Sequence, residues 1–161
     1  MNNFNIQPLS HDDIEWLRDL RNVCRSEFFD KREITPEQQE AWFSSAAYGD
    51  ERWVIWDRST RIGYFSIVSP KPDLPIFPTD GRPVRYFSTM MIAPEHRGQG
   101  AILAAATAFD PASHVYVGYV SEGNHASLRA CAKMGFKDRG RYKHPIYGYI
   151  HIVWLERADA H

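Results

Sequence analysis

The sequence predicts an α/β (α+β) domain, and three observations carry that reading. Val84 to Ile92 is rich in aromatic and apolar residues, as befits a strand buried between layers, and a glycine-bearing turn and an apolar-faced helix follow it directly. Arg52 to Asp57 and Arg61 to Ser69 read as two antiparallel strands joined at Arg58-Ser59-Thr60. Upstream, two segments carry helix-start chemistry. Ser10 has an acidic residue three places on at Asp13, and Thr35-Pro36 has Gln38 to complete a capping box.

Taken in order, Asn5 to Leu9 is a short first strand. The helix after Ser10 places Ile14, Leu17, Leu20 and Cys24 on one face and Arg18, Arg21 and Arg25 on the other. The helix after Thr35 is expected to run to about Tyr48 and to stop at Gly49-Asp50, with Trp42 and Phe43 anchoring it. Between Pro70 and Pro83, five prolines stiffen a loop and keep it out of the sheet. Its Leu74, Ile76 and Phe77 fit either a wall beside a substrate pocket or a contact between copies. After the central strand, Ile102, Ala105, Ala106 and Phe109 share one helix face, and Asp110-Pro111 ends a helix of roughly ten residues, about 15 Å. Val115 to Val120 is the next strand. Asn124 caps the helix that Gly135 ends, and Phe136–Tyr142 with Tyr149–Glu156 forms a last hairpin.

Composition narrows the function classes. Hydrophobic residues make up 43% of the chain and aromatic residues 14%, which supports a core and opposes disorder, so residues 1–161 are expected to form one domain. Lys plus Arg is 19 against 20 acids, a net charge of −1, so no global field draws the chain to nucleic acid or to a membrane. Any anion site must be local. Cys24 and Cys131 are too few for a disulfide scaffold and suit a reducing compartment. MNNFNIQPL lacks the pattern of a signal peptide, and no run approaches a membrane span, so a cytoplasmic location is expected. None of the seven histidines has a metal-ligand spacing, and no metal is expected.

Gly98 and Gly100, just before a helix, can bare backbone N–H groups toward a phosphate, or can merely allow a tight turn. Pro94-Glu95-His96-Arg97-Gly98-Gln99-Gly100-Ala101 resembles motif A of the GCN5-related N-acetyltransferases, the GNAT superfamily, written Arg/Gln-x-x-Gly-x-Gly/Ala. Arg97 and Gly100 match, while Ile102 stands where the motif has its last small residue. Asn124-His125-Ala126-Ser127-Leu128, ending in Met134-Gly135-Phe136, resembles motif B of the same superfamily. The likeness covers roughly Trp53 to Glu156.

The resemblance implies a mixed, mostly antiparallel central sheet splayed into a V-shaped CoA cleft, with helices on both faces. It implies acetyl-CoA as co-substrate, held by the strand around Met90, Met91 and Ile92, by the turn Arg97, Gly98, Gln99, Gly100, Ala101 and Ile102, and by Asn124 and Ser127. The positions of the superfamily's usual tyrosine acid and glutamate base hold Cys131 and Tyr119. Ser88, Glu27 and Tyr142 therefore stand as candidate catalytic groups, with direct attack of the amine as the mechanism. Arg21, Asn22 and Arg25, with Phe28 and Phe29, either rim the acceptor site or form a solvated face.

LRNVCRSEFFDKREITPEQQEAWF is more weakly similar to acetyltransferases of nucleotide-linked amino sugars and of ribosomal-protein N-termini. The implied partner is a small-molecule amine, an amino sugar or nucleotide-linked amino sugar first. A protein N-terminus or lysine is one alternative, and a non-catalytic CoA-binding module is another. Homodimers are frequent in the superfamily.

Overall fold

A computed structural model describes residues 3–70 and 81–156. Along the chain it contains β1 (Phe4–Pro8), α1 (Ile14–Val23), α2 (Pro36–Ser44), β2 (Glu51–Asp57), β3 (Thr60–Val68), β4 (Val84–Ile92), α3 (Ile102–Ala105), β5 (Val115–Ser121), α4 (His125–Lys133), β6 (Lys137–His144) and β7 (Gly148–Leu155). The strands form one sheet in the order β1-β2-β3-β4-β5-β7-β6. All neighbours are antiparallel except β4 and β5. Most of the proline-rich loop, with Leu74, Ile76 and Phe77, lies outside the described residues.

The caps form as their chemistry dictates. The Thr35 hydroxyl accepts from the Gln38 N–H at 3.2 Å while the Gln38 side chain accepts from the Thr35 N–H at 2.9 Å. Ahead of α1, the Asp13 carboxylate accepts from the Ser10 N–H at 2.8 Å and from Arg61 Nε at 2.7 Å. Burial alone would raise the Asp13 pKa. The Ser10 N–H, the Arg61 guanidinium and the Ser10 hydroxyl outweigh it, and the carboxyl sits below its ordinary value.

Two helices are shorter than the periodicity suggests. α2 ends at Ser44 rather than near Tyr48 because competing donors take its last carbonyls. Ser45 Oγ donates to Trp42 O at 2.7 Å, and Arg52 Nη1 donates to Trp42 O at 3.2 Å and Phe43 O at 3.4 Å. The ten-residue helix expected after Gly100 is four residues of α-helix and a 3₁₀ turn at Ala106–Ala108. Thr107 Oγ1 donates to Ala104 O at 2.7 Å, occupying the carbonyl that the next α-helical bond needs.

The two faces of the sheet bury different helices. On one, Phe65, Ile67 and Phe87 pack against Ala101 and Ala105 of the α3 segment and Cys131 and Met134 of the α4 segment. Phe109 holds this layer together, its ring meeting Phe87 at 5.3 Å and Tyr116 at 4.6 Å, both edge-on. On the other face, Leu17, Leu20 and Cys24 of the α1 segment pack on Tyr64 and Met91. Val117, Tyr119 and Ile152 lie on that same side, since Val117 pairs with Tyr86, and Tyr86 with Val68 two residues from Ser66. The four apolar positions assigned to α1 are all buried.

Between β4 and β5 the ladder is only three pairs long, Val84–Tyr86 against Val115–Val117. Beyond Tyr86 the two strands part. The result is a V in the sheet, open toward Ile92 and Ser121.

Candidate active site

The V holds a cleft of about 710 Å³. Its floor is the diverging stretch of β4, Tyr86 to Ile92, whose edge toward β5 makes no ladder pairs past Tyr86 among the described residues. The chain then turns through Gly98 (φ +77°) and Gly100 (φ +84°), backbone that L side chains rarely adopt. A Cβ at either glycine would meet nothing within 4 Å, so open space lies in front of the turn. Among the described residues, the N–H groups of Gly98, Gly100, Ala101 and Ile102 donate to no backbone carbonyl outside regular elements. With Arg129 and Lys133 of α4 on the cleft wall, that turn is chemically suited to an anion. α3 is too short to add much of a helix dipole, so backbone amides and side-chain cations carry the anion chemistry.

The mouth of the V is bridged by one residue. The Glu27 carboxylate accepts from Arg97 Nη2 at 2.9 Å, on the β4 side. The Glu27 carbonyl accepts from Asn124 Nδ2 at 3.3 Å, on the β5 side. Arg97 Nε also donates to Ile92 O at 3.0 Å, and its Nη2 lies 3.6 Å from Cys24 Sγ. The guanidinium of the motif A arginine is thus turned onto protein groups, and its hydrogen bond to Glu27 raises its pKa further. Asn124 also caps α4, its Oδ1 accepting from the Ser127 N–H at 3.1 Å. Capping and bridging are both served by one side chain.

The α1 face of the cleft carries the rings of Phe28, Phe29, Tyr86 and Tyr119, with Glu27, Ser88, Thr89 and Ser121 as its polar groups and Met91 beside them. Tyr86 and Tyr119 meet edge-on at 5.4 Å, and Phe29 stacks on Tyr147 at 5.1 Å. Ser88 Oγ shares a 2.6 Å hydrogen bond with the buried Ser66 hydroxyl. Burial pushes the Tyr119 pKa up to about 12 and the Cys131 thiol up to about 11, so both stay protonated at neutral pH.

Every residue expected to hold the co-substrate lines this cleft except Gln99. Of the three catalytic candidates, Glu27 and Ser88 line it and Tyr142 does not. Tyr142 packs behind Tyr119 with Ile152 and Trp154, on β6, the outer strand beyond β7. Phe28 and Phe29 line the cleft, whereas Arg21 and Arg25 do not. Arg21 donates to Asp30 O at 2.5 Å and lies 4.0 Å over the Phe28 ring, and Arg25 reaches Glu33 at 3.5 Å. Sequence reasoning missed Arg129 and Lys133, whose four-residue spacing on the motif B helix puts both on one side.

Comparison with known proteins agrees with this geometry. Spermidine N-acetyltransferase from Vibrio cholerae, in complex with CoA and spermine, superposes with a TM-score of 0.73 at 18% identity, covering 94% of each chain. The yncA protein from Salmonella typhimurium, with its cofactor acetyl-CoA, gives a TM-score of 0.70 at 18% identity over 99% of this chain and 96% of its own. Ribosomal-protein-alanine N-acetyltransferase from Brucella melitensis gives 0.73 at 18% identity over 94% of this chain and 99% of its own. At that identity the likeness is one of fold. No curated protein sequence matches the chain. The model of the acetyltransferase (GNAT) domain matches residues 3–137, and the chain belongs to that family.

Proposed function

We propose that this chain is an acetyl-CoA-dependent N-acetyltransferase that acts on the primary amine of a small molecule. The observation that carries the reading is the continuity of the cleft. One volume joins the glycine turn and α4 cations on one side of the sheet to Glu27, Ser88 and the aromatic residues on the other. Gly98, Gly100, Ala101, Ile102, Arg129 and Lys133 would hold the phosphates, and the free edge of β4 at Met90 to Ile92 would hold the amide arm. Acetyl-CoA, when bound, supplies a thioester whose acetyl carbon bonds to the amine nitrogen as the C–S bond breaks, the amine's proton ending on the departing thiol.

The chain's own groups divide the remaining work. Ser88, and Glu27 beside its partner Arg97, are among the polar groups that line the cleft where the amine would sit. Tyr119, neutral at working pH and in the place where the superfamily's glutamate would stand, relays the amine's proton, giving its own to the departing thiolate and taking the amine's in return. The α1 arginines give no support to a nucleotide-linked amino sugar, since Arg21 and Arg25 are engaged within their own segment. A cytoplasmic location belongs to the same proposal, supported by two free thiols, Cys24 and Cys131. No helix among the described residues is long and apolar enough to cross a membrane.

Thermal unfolding with and without acetyl-CoA tests the seat. A ligand that binds only the folded chain adds about 2.7 kcal/mol at one hundred times its Kd. The midpoint is expected to rise with wild type and not with Gly100→Asp, which puts a strained, negatively charged side chain into the turn. An unchanged midpoint at millimolar acetyl-CoA overturns the proposal.

A further inference from the structure

The α1 face of the cleft is rich in aromatic rings. Four aromatic side chains line it, namely Phe28, Phe29, Tyr86 and Tyr119, and among the described residues its carboxylate, Glu27, is already joined to Arg97 at 2.9 Å. An acceptor with several ammonium groups would have to leave most of them unpaired beside these rings. A sugar would find hydroxyls at Ser88, Thr89 and Ser121 but would set its remaining hydroxyls beside these rings and lose water there. A phosphorylated acceptor would find Arg97, the guanidinium on this face among the described residues, already held by Glu27 and Ile92 O. Aromatic walls favour a flat apolar body, and they favour a single ammonium over a ring face. They also ease deprotonation, because a cation stripped of water in such surroundings gives up its proton more readily. That makes up for the absence of a free carboxylate base among the described residues lining this face.

Building on the N-acetyltransferase reading, we infer that the acceptor is a primary amine carried on an aromatic or comparably apolar body, with one positive charge and no phosphate. Phe28 and Phe29 form its wall and the Tyr86–Tyr119 pair its floor. Phe29 is the selecting side chain. Its ring lines the cleft, and its stack on Tyr147 fixes its plane.

Two readouts test this. The first is the thermal shift given by 2-phenylethylamine, spermidine or glucosamine in the presence of saturating CoA. The second is thiol release from acetyl-CoA with the same three amines. 2-Phenylethylamine is expected to raise the midpoint and to show kcat/KM at least about tenfold above the other two. Phe29→Ala is expected to remove that preference while the shift given by acetyl-CoA alone is retained. Phe29→Leu, which keeps an apolar side chain and guards against a folding defect, is expected to lower it by a smaller factor. Equal or better use of spermidine or glucosamine overturns the inference, as does acetyl-CoA binding with no response to the aryl amine. Failure of acetyl-CoA itself to bind overturns the underlying reading, and the inference with it.

Discussion

Replacing Arg97 by methionine distinguishes a clasp from a phosphate ligand. Its guanidinium donates to Ile92 O at 3.0 Å and to Glu27 at 2.9 Å, so it ties the end of β4 to the segment after α1. The Arg97 and Glu27 side chains are 40% and 33% exposed, so solvent screening limits the pair to about 0–1 kcal/mol. The hydrogen bond to the Ile92 carbonyl adds about 1 kcal/mol. A loss of about 1–2 kcal/mol in a chain of this size lowers Tm by roughly 2–8 °C. The assay pairs thermal unfolding with acetyl-CoA titrations across a salt series. Arg97→Met is expected to lower Tm in that range while the salt dependence of acetyl-CoA affinity persists. Lys133→Met is expected to do the opposite, weakening affinity and flattening the salt dependence with little change in Tm. An Arg97→Met protein of unchanged Tm whose acetyl-CoA affinity falls more than about tenfold and no longer responds to salt would refute the clasp.

Other expectations are as direct. At Gly63 a Cβ would lie 2.8 Å from the Met91 carbonyl oxygen, so Gly63→Ala must push β4 aside, and both Tm and kcat are expected to fall. Unchanged kcat would show that the cleft does not depend on that strand's position. Tyr119→Phe is expected to lower kcat by about a hundredfold or more with the KM for acetyl-CoA unchanged, and wild-type kcat would remove Tyr119 as proton donor. Because the Asp13 carboxyl is held below its ordinary 3.8, its stabilising effect is complete above about pH 4 and lost as pH falls through its folded value. Wild type should therefore melt above Asp13→Asn at pH 7, with the gap closing below pH 4. A gap that does not change with pH would contradict this.

Much of the site was legible because local chemistry decides it. Thr35, Pro36 and Gln38 specify a helix start wherever they occur, and the positive-φ turn at Gly98 and Gly100 needs residues without a side chain. Helix ends were less legible. They depend on distant donors, as when Arg52 takes the Trp42 and Phe43 carbonyls, or on a hydroxyl such as that of Thr107. Tyr142 is a catalytic candidate by residue type, yet sheet order puts both β5 and β7 between β6 and the V. Glu27 was readable as a candidate, but its span from Arg97 to Asn124 joins residues 70 and 97 positions apart, which no local pattern records. The aromatic character of the α1 face likewise arises from three separate segments, those holding Phe28 and Phe29, Tyr86, and Tyr119.

Transfer of an acetyl group to a primary amine in this cleft is open to direct assay. The most direct measurement is product formation, with acetyl-CoA and a panel of small primary amines incubated with wild type and with Gly100→Asp, and both N-acetylated amine and free thiol quantified. Equal amounts of the two products are expected, dependent on the amine and abolished by Gly100→Asp. Binding of acetyl-CoA with thiol release no faster than hydrolysis in buffer, whatever the amine, would contradict it and leave a chain that holds CoA without catalysis.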